Sequence, residues 1–346
     1  MSTVDYDGSR LATPHRDDVL TLAPSFEPGR FDSLAVDSPF VFSLDGRQGM
    51  TYLGWDGLGY QTALTWRDES GWLPGTVVLP RIAGSGLREF NAAMTGMVRD
   101  NDLWSRGELV AVEGWYYGTF HAYPGAGYEE GSARIGFVRS QDLLTWEETG
   151  SLIHPGDGGD WSCGGLYKSW LLQHEGLFHL FYNAKDVATG SWLEQTGHAT
   201  SPDLIVWDHG DDAPVVAVGG AGAPDERFAS DPCVLRDGDV WVMFYFGLAA
   251  DGHARECYAT STDLLSWTKG GVLLDVGLGG HIDEVHAHKP AVIAWDGRLE
   301  HYYCAVSRRS PITVGGHTQR ELRGIARATG DRRSPAGASR LSSAVG

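Results

Sequence analysis

Val138-Arg-Ser-Gln-Asp142-Leu-Leu-Thr-Trp146, Ala199-Thr-Ser-Pro-Asp203-Leu-Ile-Val-Trp207 and Ala259-Thr-Ser-Thr-Asp263-Leu-Leu-Ser-Trp267 are one phrase written three times. Their aspartates stand 61 and 60 residues apart, and self-similarity at a long fixed period marks a solenoid or propeller. A fainter copy, Asp68-Glu-Ser-Gly-Trp72, precedes them and a truncated one, Ala328-Thr-Gly-Asp331, follows, making five units. Inside the units, runs of aromatic and β-branched residues flank Asp/Gly turns, as in Cys233-Val-Leu-Arg-Asp-Gly-Asp-Val-Trp-Val-Met-Phe-Tyr-Phe246. That is the pattern of a β-hairpin. A third strand enters each repeated turn (Arg134-Ile-Gly-Phe-Val138) and a fourth leaves it (Gly271-Val-Leu-Leu274). The expectation is an all-β, five-bladed β-propeller with four antiparallel strands per blade around a central channel. The repeated Asp and Trp read as structural, the Asp capping turn amides and the Trp packing between blades.

The propeller should span residues 31–330. Residues 1–30 form an N-terminal segment in which Leu20-Thr-Leu22 completes a last blade that otherwise lacks its fourth strand, and 331–346, small, polar and aperiodic, reads as a disordered tail. An incomplete blade would leave an exposed edge, which favours a homodimer. With 27 Lys+Arg against 45 Asp+Glu, the formal charge is -18, a field that repels polyphosphates and anionic membranes, so neither nucleic acid nor a membrane is expected as a partner. Cys163, Cys233, Cys257 and Cys304 show no CxxC or Cys/His metal spacing and read as reduced core residues. No basic n-region followed by an apolar run opens the chain, and no stretch approaches a membrane span, so a soluble, cytoplasmic protein is expected.

In a propeller the inner strands open at one mouth of the channel, and polar residues that break the repeat there are the ones to suspect of function. The openings read Asp37-Ser-Pro39, Trp104-Ser-Arg106, Trp161-Ser-Cys-Gly-Gly-Leu-Tyr-Lys168, Asp231-Pro232 and His286-Ala-His288-Lys-Pro290. Acids and histidines crowded into one funnel are the composition of an acid/base site.

The five-unit layout, the Asp-x-Pro opening of blade one, the Ser-Asp-Pro opening of blade four and the Ser-x-Asp-Leu-x-x-Trp turns resemble the five-bladed propeller glycosidases of glycoside hydrolase families 43, 32 and 117. The resemblance covers roughly residues 30 to 330. It implies a glycoside hydrolase, exo-acting and inverting, on a small oligosaccharide or glycoside, with Asp37 as base. The acid these families carry at the opening of blade three is missing from Tyr167-Lys168-Ser169. A blade-one Asp, blade-four Asp and blade-five His is the arrangement of family 117. It implies Asp231 as the charge that raises the donor's pKa or grips hydroxyls, and His288 as acid. Glu226 and Glu284 are substitute donors. Trp104 and Trp161 would stack on sugar faces, and His286, Asn183 and His121 would contact substrate. Lys168 and Lys289 would bring positive charge for an anionic group or phosphate. No cofactor is required by this reading, and a divalent cation, calcium, in the channel is left open. A glycoside phosphorylase or transglycosylase, or a non-catalytic carbohydrate-binding propeller, are the alternatives.

Overall fold

Each repeated phrase folds into one tight turn. Ser140, Ser201 and Ser261 accept the amides of Leu143, Leu204 and Leu264 at 2.9 Å through their Oγ atoms. Asp142 Oδ1 takes the amides of Leu144 and Thr145 at 2.8 Å, and Asp203 and Asp263 do the same one and two blades on. The turn leucines sit at φ 62°, 63° and 65°, a left-handed conformation that these side-chain caps must hold in place. The tryptophans then pack across blade boundaries. Trp207 stacks on Phe137 with centroids 5.0 Å apart, and Trp267 meets Phe181 edge-on at 5.7 Å.

A computed structural model describes residues 6–187 and 192–332. Blade one is Ala35–Leu44, Arg47–Trp55, Tyr60–Asp68 and Thr76–Leu79; blade two is Ala93–Met97, Tyr116–Ala122, Arg134–Ser140 and Glu147–Ile153. Blade three is Leu166–His174, Leu177–Asp186 and Leu193–Ser201, its outer edge completed by the bridges Thr196↔Val216 and Thr200↔Asp208. Blade four is Phe228–Asp237, Val240–Leu248, Ala254–Ser261 and Thr268–Leu274; blade five is His286–Trp295, Arg298–Val314 and His317–Thr329. Neighbours within each blade pair antiparallel, and single parallel contacts, Glu194↔Phe228 and Ala254↔His286, link one blade to the next. This is a five-bladed propeller.

The N-terminal segment supplies the outer edge of blade five: His15–Arg16 pairs with Thr329 and Ala328, and Leu22 bridges Ile325. That cover removes the exposed edge on which a homodimer was expected. The expected tail lies, from residue 333 on, outside the described residues. Cys163 is exposed rather than core, while Cys233, Cys257 and Cys304 are buried and free. Blade two's inner strand is Ala93–Met97, so Trp104-Ser-Arg106 does not open it. No described helix is long and apolar enough to cross a membrane.

Candidate active site

The inner strands of blades one, four and five carry the same defect. Their ladders shift register between Asp37 and Phe40, Ser230 and Cys233, and His288 and Ala291, each time at a proline that cannot donate to the ladder. The residue before each proline takes positive φ: Ser38 at 44°, Asp231 at 59° and Lys289 at 64°. These three are therefore equivalent around the ring, and all three line one pocket at the channel mouth. Asp37 is one residue out of phase with Asp231. Its equivalents are Ser230 and His288, and one blade step from Asp231 leads to Lys289.

That phase difference decides what Asp37 does. It is fully buried and is not among the pocket-lining residues. Its Oδ1 accepts the Ser38 amide at 2.7 Å, while Oδ2 accepts Lys289 Nζ at 2.9 Å and an Arg323 guanidinium N–H at 3.4 Å. Although burial opposes ionisation, the cations of Lys289 and Arg323 hold its carboxyl far below the usual range. A buried carboxylate paired with two cations is well placed to anchor them. Asp37 ties Lys289 of blade five and Arg323 of its third strand to blade one.

His288 is aimed differently from a proton donor. Its Nδ1–H donates to the Cys304 carbonyl at 3.0 Å, which leaves Nε2 as an acceptor in the pocket wall. Burial, with Lys289 and His286 beside it, keeps the ring well below the usual histidine pKa and hence neutral. His286 is the opposite tautomer, accepting the Ala254 amide on Nδ1 at 3.1 Å, and burial lowers it to about 4.

The acids that face the pocket are Glu129, Glu194 and Asp231. Asn183 Nδ2 donates to Glu194 Oε2 at 2.9 Å and to Asp231 Oδ1 at 3.0 Å, so one amide nitrogen joins the two carboxyls. Ser230 Oγ donates to the same Glu194 oxygen at 2.9 Å, and Trp192 Nε1 to its other oxygen at 3.0 Å. Burial first, then the nearby charges of Glu129 and Asp231, push Glu194 up to about 7 despite these donors. Glu129 comes from the loop between the second and third strands of blade two, at φ 59°, and burial raises its carboxyl while Lys289 and Arg323 pull it back. Gly127 N of this loop donates to Leu58 O at 2.8 Å, and the Tyr128 ring meets Trp55 at 5.8 Å and Tyr60 at 5.9 Å. The loop thus reaches over from blade two to blade one and roofs the pocket.

Three buried polar atoms that line the pocket have no partner among the described residues: Tyr60 Oη, His121 Nδ1 and Asn183 Oδ1. Buried polar groups are rarely left unpaired, and here they face the space a hydroxylated ligand would fill. Tyr123, Tyr167, Trp192 and Phe228 give the same pocket apolar walls.

Of the residues singled out from sequence, Asp231, His288, His286, Lys289, Lys168, Asn183 and His121 are brought together here. Others are placed elsewhere. Glu226 closes a local turn on the Gly222 amide, and Glu284 binds the Gly280 and Arg308 amides, its carboxyl lowered by them. Trp104 Nε1 donates to Asp237 at 3.0 Å, and Asp237 ends the inner strand of blade four far from the mouth. Trp161 is buried, stacked on Tyr182 and bonded to Gly158 O. The residues not anticipated are Glu194, Glu129, Tyr60 and Arg323. Glu194 had a signal: seven residues before the repeat's serines stand Ala133, Glu194 and Ala254, so it breaks the repeat, but on a third strand. Glu129 has no counterpart in the other units.

No family model matches the chain. A 122-residue stretch, 34% of this chain and 40% of the relative, is 30% identical to a 1,2-beta-oligomannan phosphorylase of Thermoanaerobacter sp. (strain X514). The match thus spans well under half of that relative's length. The protein BT0996, solved as an RGII complex, is 27% identical, with a TM-score of 0.79 over 95% of this chain and 96% of that one. A structure described as a glycoside hydrolase is 25% identical, with a TM-score of 0.75 over 94% of both chains. Zg3597, a family 117 glycoside hydrolase of Zobellia galactanivorans, shares the fold at 12% identity and a TM-score of 0.62 over 92% of this chain and 91% of that one. The chain belongs to the five-bladed propeller superfamily of glycoside hydrolases and phosphorylases.

Proposed function

We propose that the protein is an exo-acting, inverting glycoside hydrolase in which Glu194 is the proton donor, Asp231 the charge that keeps the donor protonated, and Glu129 the base. The observation that carries this reading is the state of Glu194, a pocket-lining carboxyl pushed up to about 7 by burial and by its acidic neighbours. Glycoside cleavage needs such an acid on the leaving-group side and a carboxylate activating water on the other. Glu129 enters from the roofing loop rather than from the strands that carry Glu194 and Asp231, so it fits the second role. Asp37, the base implied by the family resemblance, has its Oδ2 engaged by two cations, and His288 presents a lone pair where a donor would present a proton. His288 Nε2, His121, Tyr60 and Asn183 would bind the hydroxyls of the terminal sugar. A pocket roofed by the blade-two loop favours cleavage from a chain end, and the relative solved as an RGII complex supports a glycan as substrate.

The test is release of free sugar from a panel of aryl glycosides and short oligosaccharides by wild type, Glu194→Gln and Glu129→Gln, with the first-formed anomer read by NMR. The α anomer from β substrate, or the reverse, with both variants impaired, agrees with the reading. Retained configuration would make the second carboxylate a nucleophile instead of a base.

One observation favours a second reading, phosphorolysis: the local match to an oligomannan phosphorylase, with Lys289 and Arg323 as a cradle for phosphate. Sugar release that requires phosphate, and yields a sugar phosphate, would establish it.

A further inference from the structure

The channel has a second end. Gln173 and His174 close the inner strand of blade three, Arg236 stands one residue before the end of blade four's, and Arg99 and Asn101 follow that of blade two. These strands open at the mouth already described, so their far ends meet at the opposite one. There, with Trp241, the six residues line a cavity of about 410 Å³, a volume in the range of small-molecule sites.

Two arginines give this cavity its chemistry. Arg99 is 3% exposed, and its guanidinium donates to Val41 O of blade one at 2.6 Å and to Val292 O of blade five at 2.8 Å. Carbonyls take its hydrogens without balancing its charge. Burial pulls Arg99 down only to about 10, so it stays a cation at neutral pH. Arg236 is half-buried, with its guanidinium over the Trp241 ring at 5.5 Å, a contact that orients the cation without neutralising it. Among the described residues neither guanidinium pairs with a carboxylate, and the Nε of each is buried without a partner. Buried donors are seldom left so, and a buried cation without a counter-charge is costly.

The donors are held in place. Asn101 donates Nδ2 to Arg99 O at 2.7 Å, accepts Trp170 Nε1 on Oδ1 at 3.1 Å and takes the Arg236 amide on its carbonyl at 2.7 Å. One asparagine thus fixes the backbone of both arginines. Asp100 and Asp102 also line the cavity, but both are exposed and each caps a backbone amide, that of Asp102 at 3.0 Å and that of Trp104 at 2.8 Å. Solvent screens them far more than it screens Arg99. Among the described residues no group of three or more His, Cys, Asp or Glu is placed to hold a metal, so the two rim aspartates do not make this a cation site.

We propose that the cavity is a second binding site, for a small molecule whose oxyanion, a phosphate or a carboxylate, accepts hydrogen bonds from Arg99 and Arg236. A guanidinium presents its donors as a fork that matches either group. In a chain of formal charge -18 the long-range field repels such a ligand, so these local donors must supply the affinity. The site lies apart from the reacting pocket and stands whichever reaction that pocket performs.

Titration calorimetry of the full chain at low salt, with inorganic phosphate and separately with glucuronate, tests it. Binding of phosphate alone would assign the site to a phosphate group, and binding of glucuronate alone to a carboxylate on a sugar-sized body. Heat from neither would overturn the proposal. Arg236→Gln removes the cation but no side-chain hydrogen bond among the described residues, so it should fold as wild type does and weaken the anion by about tenfold or more. Unchanged affinity in Arg236→Gln would place the anion elsewhere, beside Lys289 and Arg323, and refute the site. Should Arg236→Gln melt early without any anion, a crystal structure of wild type grown with phosphate or glucuronate decides: the anion beside Arg99 and Arg236 supports the site, and its absence from there rules the site out.

Discussion

Removing the proton from Glu194 is the perturbation with the sharpest consequence. A positioned general acid contributes roughly 10²- to 10⁴-fold, or about 3 to 5.5 kcal/mol of barrier, and Glu194→Gln should forfeit most of that for substrates whose leaving group needs protonation. With activated aryl leaving groups the loss should be far smaller, because a good leaving group departs without the proton. The pH profile gives the second reading. The protonated form is the active one and its carboxyl lies at about 7, so kcat/KM should be level just below neutrality and fall about tenfold per pH unit above it. Asp231→Asn removes one of the charges that raise Glu194, and the alkaline limb should then move to lower pH. The assay is steady-state kinetics on an alkyl and an aryl glycoside of the same sugar across about pH 5 to 9, spanning the carboxyl's titration. Equal losses on both leaving groups, with the alkaline limb unmoved in Asp231→Asn, would refute the assignment and leave Glu194 as a wall of the pocket.

Three further predictions concern stability and the roof. Asp37→Ala strips the shared partner from two nearly buried cations, Lys289 and Arg323; breaking such a pair costs about 3–5 kcal/mol, which chemical denaturation would measure, and an undiminished stability would contradict the anchoring role. Asp263→Ala deletes the acceptor of two turn amides at 2.9 and 2.7 Å. It should lower stability by about 1–3 kcal/mol while leaving kcat unchanged, and a fall in kcat at constant fold would make the repeated Asp functional after all. Tyr128→Ala removes the ring that ties the blade-two loop to Trp55 and Tyr60. KM should rise and kcat fall together, because Glu129 is carried on the same loop, and an effect on neither would show the roof to be dispensable.

The fold was legible because three of the five units spell the same turn in full, and a turn with a Ser cap, an Asp cap and a left-handed leucine has few alternatives. The location of the site was legible for the same reason, since inner-strand openings converge. What the spelling could not show was phase. Asp37-Ser-Pro39 and Ser230-Asp-Pro232 look interchangeable as text, each an acid at the opening of a strand. The ladder shift at the proline turns one residue into the pocket and its neighbour into the blade, so the two acids differ by a single step and have opposite fates: Asp231 faces the pocket while Asp37 is bonded on both oxygens. Glu194 and Glu129 were missed for different reasons. The first breaks the repeat on a strand where function was not sought, and the second sits in a loop with no period to break.

The same phase rule explains how a five-fold scaffold makes a site with two unlike sides. The strained position before the bulge proline is Ser38, Asp231 and Lys289 in blades one, four and five, and Tyr167 takes the corresponding place in blade three, so equivalent backbone points present a hydroxyl, an acid, a cation and a ring. Lys289 and Arg323 collect on the blade-five side with Asp37 between them, while Glu194 and Asp231 collect on the blade-three and blade-four side, joined by Asn183. A reaction that develops positive charge at a sugar ring gains from acids close to that ring, and cations on the far side would do best beside an oxygen that becomes negative or an anion that attacks. Exchanging the charge at one equivalent point should therefore bias the chemistry rather than abolish the pocket. Lys289→Ser, copying blade one's residue at that point, should weaken any phosphate-dependent turnover more than hydrolysis, and equal losses in both would mean that the cation serves only to hold Asp37.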